Sequence, residues 1–247
     1  MRYGWIPDFP DHRDKYFKTS IMAVDLPPLV DLSLICPPVE DQGDLGSCTA
    51  NALTGAMEFL LNKDLKPFYH LSRLFLYYNE RVIEGSVNQD SGAMIRDGIK
   101  TMAKDGVCTE KTWPYVIGKF TKKPPAKAYT EAQNHQILTY SRLTGLLDFK
   151  LCLADGFPVV FGFSVYESFE SAQVAKTGTV PMPKKRERLL GGHAVLAVGY
   201  NDATKRLLVR NSWGPKWGKN GYFTLPYGFI ENTDLSDDFW TVRTEEE

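Results

Sequence analysis

The stretch Gln42-Gly43-Asp44-Leu45-Gly46-Ser47-Cys48-Thr49-Ala50 sets a cysteine at the start of an apolar-periodic run. From Ser47 to Asn62 the residues Ala50, Leu53, Met57, Leu60 and Leu61 recur at helical spacing. Ser47 stands where an N-cap is expected. The leading N–H groups of such a helix have no intrahelical partner, and its macrodipole is positive at that end. A thiol placed there is biased toward thiolate, the nucleophilic form. The glycines ahead of it let a bound chain approach the backbone closely. A cysteine taken alone is more often a buried, inert side chain. The helix start and the glycine-rich turn are what single out Cys48.

Outward from this point, the chain divides into two halves of different character. Leu71 to Ile83 and Ala93 to Ala103 read as two further helices, the second started by Asp90 or Ser91. Lys119 to Lys127, with four lysines and two consecutive prolines, reads as an irregular crossing. One helix follows, about Thr144 to Asp155. Strand patterns then accumulate at Pro158–Val165, His193–Tyr200, Arg206–Asn211, Gly221–Leu225 and Asp238–Val242. A helical first half and a strand-rich second half predict an α+β fold of two packed lobes, with a site in the cleft between them.

Composition narrows the function. At 247 residues the chain is long enough for a substantial core, and 43% apolar with 24% charged residues is an ordinary globular balance. Lys and Arg number 29 against 30 Asp and Glu, which argues against a nucleic-acid binder. No apolar run is long enough to span a bilayer, so no membrane partner is expected. Asp8, Asp11 and Asp14 interrupt any signal-peptide core near the start, which leaves the location open between the cytoplasm, another export route and export after removal of a leader. The four cysteines at 36, 48, 108 and 152 have no zinc-site spacing, and no metal or organic cofactor is expected. Of the possible bridges Cys36 with Cys108 is the best pairing, but reduced, buried thiols are the expected state.

Two further segments carry chemistry. In Gly191-Gly192-His193-Ala194-Val195-Leu196-Ala197-Val198 a histidine opens an alternating strand behind two glycines. In Asn211-Ser212-Trp213-Gly214-Pro215-Lys216-Trp217-Gly218 an asparagine precedes a turn that holds two tryptophans. Either pattern alone is common in cores and turns. Taken with the cysteine segment, in this order and spacing, they resemble the papain family of cysteine peptidases over roughly residues 26–243. Leu26-Pro27 to Val30-Asp31 is similar to the family's mature start, Gln89-Asp90-Ser91-Gly92 to its substrate-strand glycine loop, and Trp113-Pro114-Tyr115 to its Tyr-Pro-Tyr. Two departures suggest a divergent, bacterial branch. Leu45 stands where a disulfide cysteine is usual, and Thr49 replaces an aromatic residue.

The resemblance implies a papain-like catalytic domain over 26–247. Its helical lobe would cover about 43–118, and its strand-rich, β-barrel-like lobe about 119–243. It implies Cys48 as nucleophile, His193 as base and then acid, Asn211 as the residue that orients the imidazole, and Gln42 as an oxyanion donor beside the Cys48 N–H. Trp213 would shield the His193–Asn211 bond from water, and Trp217 would form an aromatic wall on the leaving-group side. Gly92 would offer backbone hydrogen bonds to an extended peptide. Met94, Gly162, Val165 and Gly192 would line a specificity pocket suited to an apolar side chain. The expected partner is a polypeptide substrate, and the expected reaction is endopeptidase hydrolysis through a thioester. An amide-forming acyl transferase or a catalytically silent binding module are the alternatives on the same scaffold.

Residues 1–25 stand apart. Tyr3, Trp5, Phe9, Tyr16 and Phe17 cannot form a core alone and are costly to leave in water, so they should dock on the body. The segment is expected either to shield the cleft as a short pro-region or to staple the two lobes from behind. Its prolines and its lack of a long helix favour the staple. Replacing Cys48 with Ala should abolish peptide hydrolysis and leave thermal unfolding nearly unchanged, as measured by turnover and melting on the same preparation.

Overall fold

The computed structural model describes residues 3–19 and 26–244. A short strand, β1 (Leu29–Asp31), precedes the three main helices α1 (Cys48–Lys63), α2 (Arg73–Ile83) and α3 (Ile95–Lys104). Every residue of α1 from Cys48 to Leu61 is buried. A helix enclosed on every side must satisfy its polar groups internally. Thr54 returns its hydroxyl to Ala50 O at 2.7 Å, Thr49 donates to Glu80 at 2.8 Å, and Glu58 accepts Leu71 N at 2.7 Å. Ser47 is the N-cap residue but does not cap with its side chain. Its hydroxyl is taken up by Tyr115 at 2.6 Å and Asn51 at 3.1 Å.

The two following helices begin later than their patterns suggest. Ser72 caps α2 by accepting Phe75 N. Neither Asp90 nor Ser91 starts α3, because the chain is not helical there. Gly92 lies at φ +77°, and Ala93 is extended in a β-bridge. The helix begins only after Met94. Asp90 has a different task. It accepts Gly46 N at 2.9 Å and the Tyr77 hydroxyl at 2.6 Å through one oxygen. The loop that a disulfide at position 45 would pin is thus tied non-covalently, with Leu45 itself buried.

The second half contains α4 (Ala126–Ala132), β2 (Thr139–Arg142), α5 (Leu146–Ala154), β3 (Val159–Tyr166), α6 (Ala172–Thr177), β4 (Leu189–Asn201), β5 (Arg206–Arg210), β6 (Tyr222–Pro226) and β7 (Ser236–Arg243). The elements β1, β2, α4 and α6 are too short to show a period. Pro125 is the N-cap residue of α4, so the proline pair opens this helix inside what reads as a loop. The strands pair antiparallel in the order β2-β7-β3-β4-β5-β6, with β1 added along β4. Residues alternate across β3. Phe161, Phe163 and Val165 enter a core inside the curved sheet with Phe169, Phe223 and Phe229, while Val160 faces the helices. Ala194, Leu196, Val198 and Trp240 join Val160 against α1 and its neighbours.

All four cysteines are unbridged. Cys36 sits beside Tyr222 and Arg210, whereas Cys108 lies against Ser72 and Glu131, so the pairing considered for them is not made. No helix among the described residues is long and apolar enough to cross a membrane. Replacing Asp90 with Ala should lower stability by about 1–3 kcal/mol in urea unfolding, since two buried donors lose their acceptor.

Candidate active site

Helix α1 brings Cys48 to the interface of the two halves, where its thiol faces the backbone of Ala194 on β4. The preceding residue, His193, is fully buried. Its Nε2 lies 2.8 Å from Asn211 Oδ1, and that same oxygen accepts Ser212 N at 2.9 Å. An oxygen already accepting one N–H is an acceptor, so Nε2 carries the ring proton. Nδ1 is then the basic nitrogen, and it has no hydrogen-bond partner among the described residues. Trp213 stacks on the imidazole with centroids 5.0 Å apart and planes 27° apart. Trp217 meets Trp213 edge-on at 5.1 Å.

Gln42 is buried beside this group. Its side-chain oxygen accepts the Ser212 hydroxyl at 2.6 Å, and its amide nitrogen donates to Leu45 O at 2.9 Å. The amide is therefore held at the turn that leads into Cys48. The structure brings Gln42, Cys48, His193, Asn211 and Trp213 into one cluster. Gly162 and Gly192 face the same cleft from β3 and β4. Val165 does not. It lies on the opposite face of β3 and packs in the sheet core, because its position differs from Gly162 by an odd number of residues.

The cleft is occupied by residues 3–6 of the chain itself. Gly4 lies between Gly46 and Gly92, and a Cβ at position 4 would fall 1.8 Å from Gly46 O. Ala93 N donates to Gly4 O at 2.7 Å, and Ile6 N donates to Ala93 O at 3.0 Å, so Trp5 pairs parallel with Ala93. Trp5 N donates to Gly192 O at 3.0 Å. The backbone bonds expected of Gly92 thus come from Ala93, while Gly92 N–H goes to the Tyr77 hydroxyl at 3.1 Å. What Gly92 supplies is room. Tyr3 reaches the other side of the nucleophile, edge-on to His193 at 6.3 Å, and bonds Glu170 through its hydroxyl.

Further along, the segment is pinned to both halves. Asp8 accepts Arg96 N from α3 at 3.1 Å and Trp240 Nε1 from β7 at 2.9 Å. Arg96 also holds Asp14, at 2.5 Å through Nη2. Lys15 and Phe17 then exchange backbone bonds with Arg142 of β2 at 2.7 and 2.9 Å. The described part of the 1–25 segment therefore crosses the front of the cleft instead of the back. Residues 1–2 and 20–25 lie outside the described residues. Sequence reading missed Ala93, whose bonds are made by backbone groups that any residue carries, and Asp8 and Asp238, because a carboxylate in a strand or loop carries no spacing signal.

Enclosure sets the protonation states. Burial pushes the Cys48 thiol up to about 12, opposed by backbone hydrogen bonds from Ala194, Gly4 and Thr49. Burial lowers His193 to about 4, opposed by its bond to Asn211. In the covered state the pair is a neutral thiol and a neutral imidazole. Asp8 is raised to about 7, by burial first and then by the neighbouring Asp238 charge.

An antiparallel sheet packed on a buried helix, with a thiol at the helix start and an oriented imidazole opposite, defines the thiol-peptidase class. The papain family cysteine protease profile matches residues 27–240, and the chain belongs to that family. The crystal structure of xylellain, a cysteine protease from Xylella fastidiosa, superposes with a TM-score of 0.93 at 48% identity, covering 99% of this chain and 96% of that one. A peptidase C1-like protein of Acanthamoeba polyphaga mimivirus is 44% identical over 98% of this chain and 86% of its own length. Cysteine proteinase 3 of Entamoeba histolytica is 32% identical over 84% of this chain, which spans 65% of that relative.

The raised Asp8 carboxyl gives docking of the segment a pH dependence. Undocked, Asp8 titrates near its ordinary 3.8; docked, it titrates near 7. Docking therefore takes up a proton between these values, is favoured fully below the lower one and weakens as pH rises through about 7. Arg96 on α3, Arg142 on β2, Asp14 of the segment, and Asp237 and Asp238 on β7 surround this position. The ratio of wild-type to Asp8→Asn turnover should rise from about pH 4 to about pH 7 and level off above, because the amide of the variant cannot take up the proton.

Proposed function

We propose that Cys48, His193, Asn211 and Gln42 carry out endopeptidase hydrolysis, and that residues 3–18 hold the site closed until the segment lifts. The chemistry follows from the tautomer. His193 Nδ1 takes the Cys48 proton, giving a thiolate and an imidazolium while Nε2–H stays on Asn211. In the uncovered cleft the start of α1 favours the thiolate. Attack on a peptide carbonyl forms a C–S bond and an oxyanion, which accepts from the Cys48 N–H and the Gln42 amide. The oxyanion collapses with cleavage of the C–N bond, and His193 gives its proton to the leaving amine. Water then hydrolyses the thioester, with His193 as base.

One observation carries the closed reading. Gly4 is held against the turn that leads into Cys48, where a Cβ at position 4 would fall 1.8 Å from Gly46 O, and Trp5 N donates to Gly192 O beside His193 at 3.0 Å. The Gly4 carbonyl is committed to Ala93 N–H, away from the Gln42 amide. The segment fills the cleft that a substrate strand would need. Trp217, Met94, Gly162 and Gly192 remain the surfaces proposed for substrate, with Ala93 in place of Gly92 as the strand partner.

The test is a comparison of the full-length wild type with Gly4→Ala on an unfolded polypeptide. The added methyl would overlap the Gly46 carbonyl, which should lift the segment and raise turnover about tenfold. Fragments from internal cuts, identified by mass spectrometry, support the endopeptidase reading; loss of terminal residues alone would overturn it. Equal turnover by the two proteins would overturn the closed reading.

A further inference from the structure

The side chain of Trp5 rests in a hollow made by two glycines. A Cβ at position 162 would lie 2.0 Å from the indole Cε2, and one at position 192 would lie 2.7 Å from Cε3. At the end of the hollow the indole Nε1 donates to Asp238 Oδ2 at 3.0 Å. The Asp238 side chain has no exposed surface. Its other oxygen is held by Arg142 at 2.9 Å, and Asp8 N donates to Oδ2 at 2.8 Å.

Backbone geometry aims this carboxylate into the cleft. On β3 and β7, Val160 pairs with Trp240 and Gly162 with Asp237, so two residues of β7 stand opposite Phe161 alone. Such a bulge re-aims a side chain out of the alternating pattern. Phe239 enters the sheet core, while Asp238, at φ +56°, turns to the cleft side. A non-glycine residue in that region is costly, and bulges and strain of this kind gather at functional sites. When the segment leaves, Oδ2 loses both the indole and the Asp8 N–H. The Arg142 bond to Oδ1 belongs to the body and remains.

Resting on the peptidase reading above, we propose that Asp238 is a specificity-determining residue, and that its pocket selects peptides carrying a tryptophan side chain beside the residue at the cut. The flat indole matches the glycine-walled hollow, and its N–H replaces the donor that the departing segment removes. An aromatic ring of the same size without an N–H leaves a buried carboxylate oxygen short of a donor, which penalises it. The pocket is therefore not simply apolar, as Met94, Gly162 and Gly192 alone suggest.

The test uses the full-length protein and a set of blocked fluorogenic peptides. They differ only at the residue beside the cut, which is Trp, 1-naphthylalanine, Leu or Ala. Occupancy of the cleft by the protein's own segment reduces turnover of every peptide by one factor, so ratios of kcat/KM report the pocket alone. The Trp peptide should exceed the naphthylalanine peptide by about tenfold, the scale of one hydrogen bond to a charged acceptor. Asp238→Ala should bring that ratio close to one. Gly162→Ala, which keeps the carboxylate, should lower the Trp and naphthylalanine peptides together relative to the Ala peptide. A Trp to naphthylalanine ratio near one in wild type, or one that survives in Asp238→Ala, overturns the pocket while Leu cleavage leaves the peptidase reading intact. An unchanged Trp to Ala ratio in Gly162→Ala also overturns it. Cleavage of none of the peptides overturns the peptidase reading and the proposal with it.

Discussion

Burial of α1 between the other helices and the sheet is the constraint on which the site depends. Packed against α2, α3 and β4, the helix has no freedom to slide without breaking two interfaces of close-packed side chains. Its first residue is the cysteine, and the strand it packs against supplies Ala194, the residue after His193. The relative position of sulfur and imidazole is thus fixed by core packing. Asn211 and Ser212 add the orientation, since one amide oxygen accepts from both the imidazole and the next backbone N–H. Ser212 in turn reaches Gln42 and joins the histidine support to the turn that opens α1.

The first residues of the chain combine the two tasks that sequence reading set against each other. Asp8 and Asp14 tie α3 to β7 and β2 through Arg96 and Arg142, which spans the two halves as a staple would. Tyr3, Gly4 and Trp5 lie across the nucleophile and the imidazole, as a shield would. Both follow from one extended path. The front of the cleft is where the halves meet, so a chain long enough to bridge them there covers the site as well.

Much of the fold was legible because its main elements are long. The α1 pattern, the β3 to β5 strands and the helix near Leu146 all show clear periods over enough residues. The cluster of Gln42, Cys48, His193 and Asn211 was legible from three local motifs in order and spacing, a pattern too specific for ordinary turn chemistry. What could not be read has a common cause. The role of Ala93 depends on backbone groups, which any residue type carries. Asp238 faces the cleft only because of a bulge, and a bulge shifts the parity on which strand reading rests. Val165 shows the same rule from the other side: one residue off in register moved it from the pocket wall to the core.

The covalent link between the cleft and its occupant has a consequence for how closure responds to concentration. A free inhibitor leaves when the solution is diluted, but Gly4 and Trp5 stay on the same molecule as Cys48. Their effective concentration is set by the length and path of the intervening chain and is the same at every protein concentration. On the closed reading proposed above, a substrate competes with a fixed local ligand. Closure of this kind acts on a single molecule as fully as on a crowded solution.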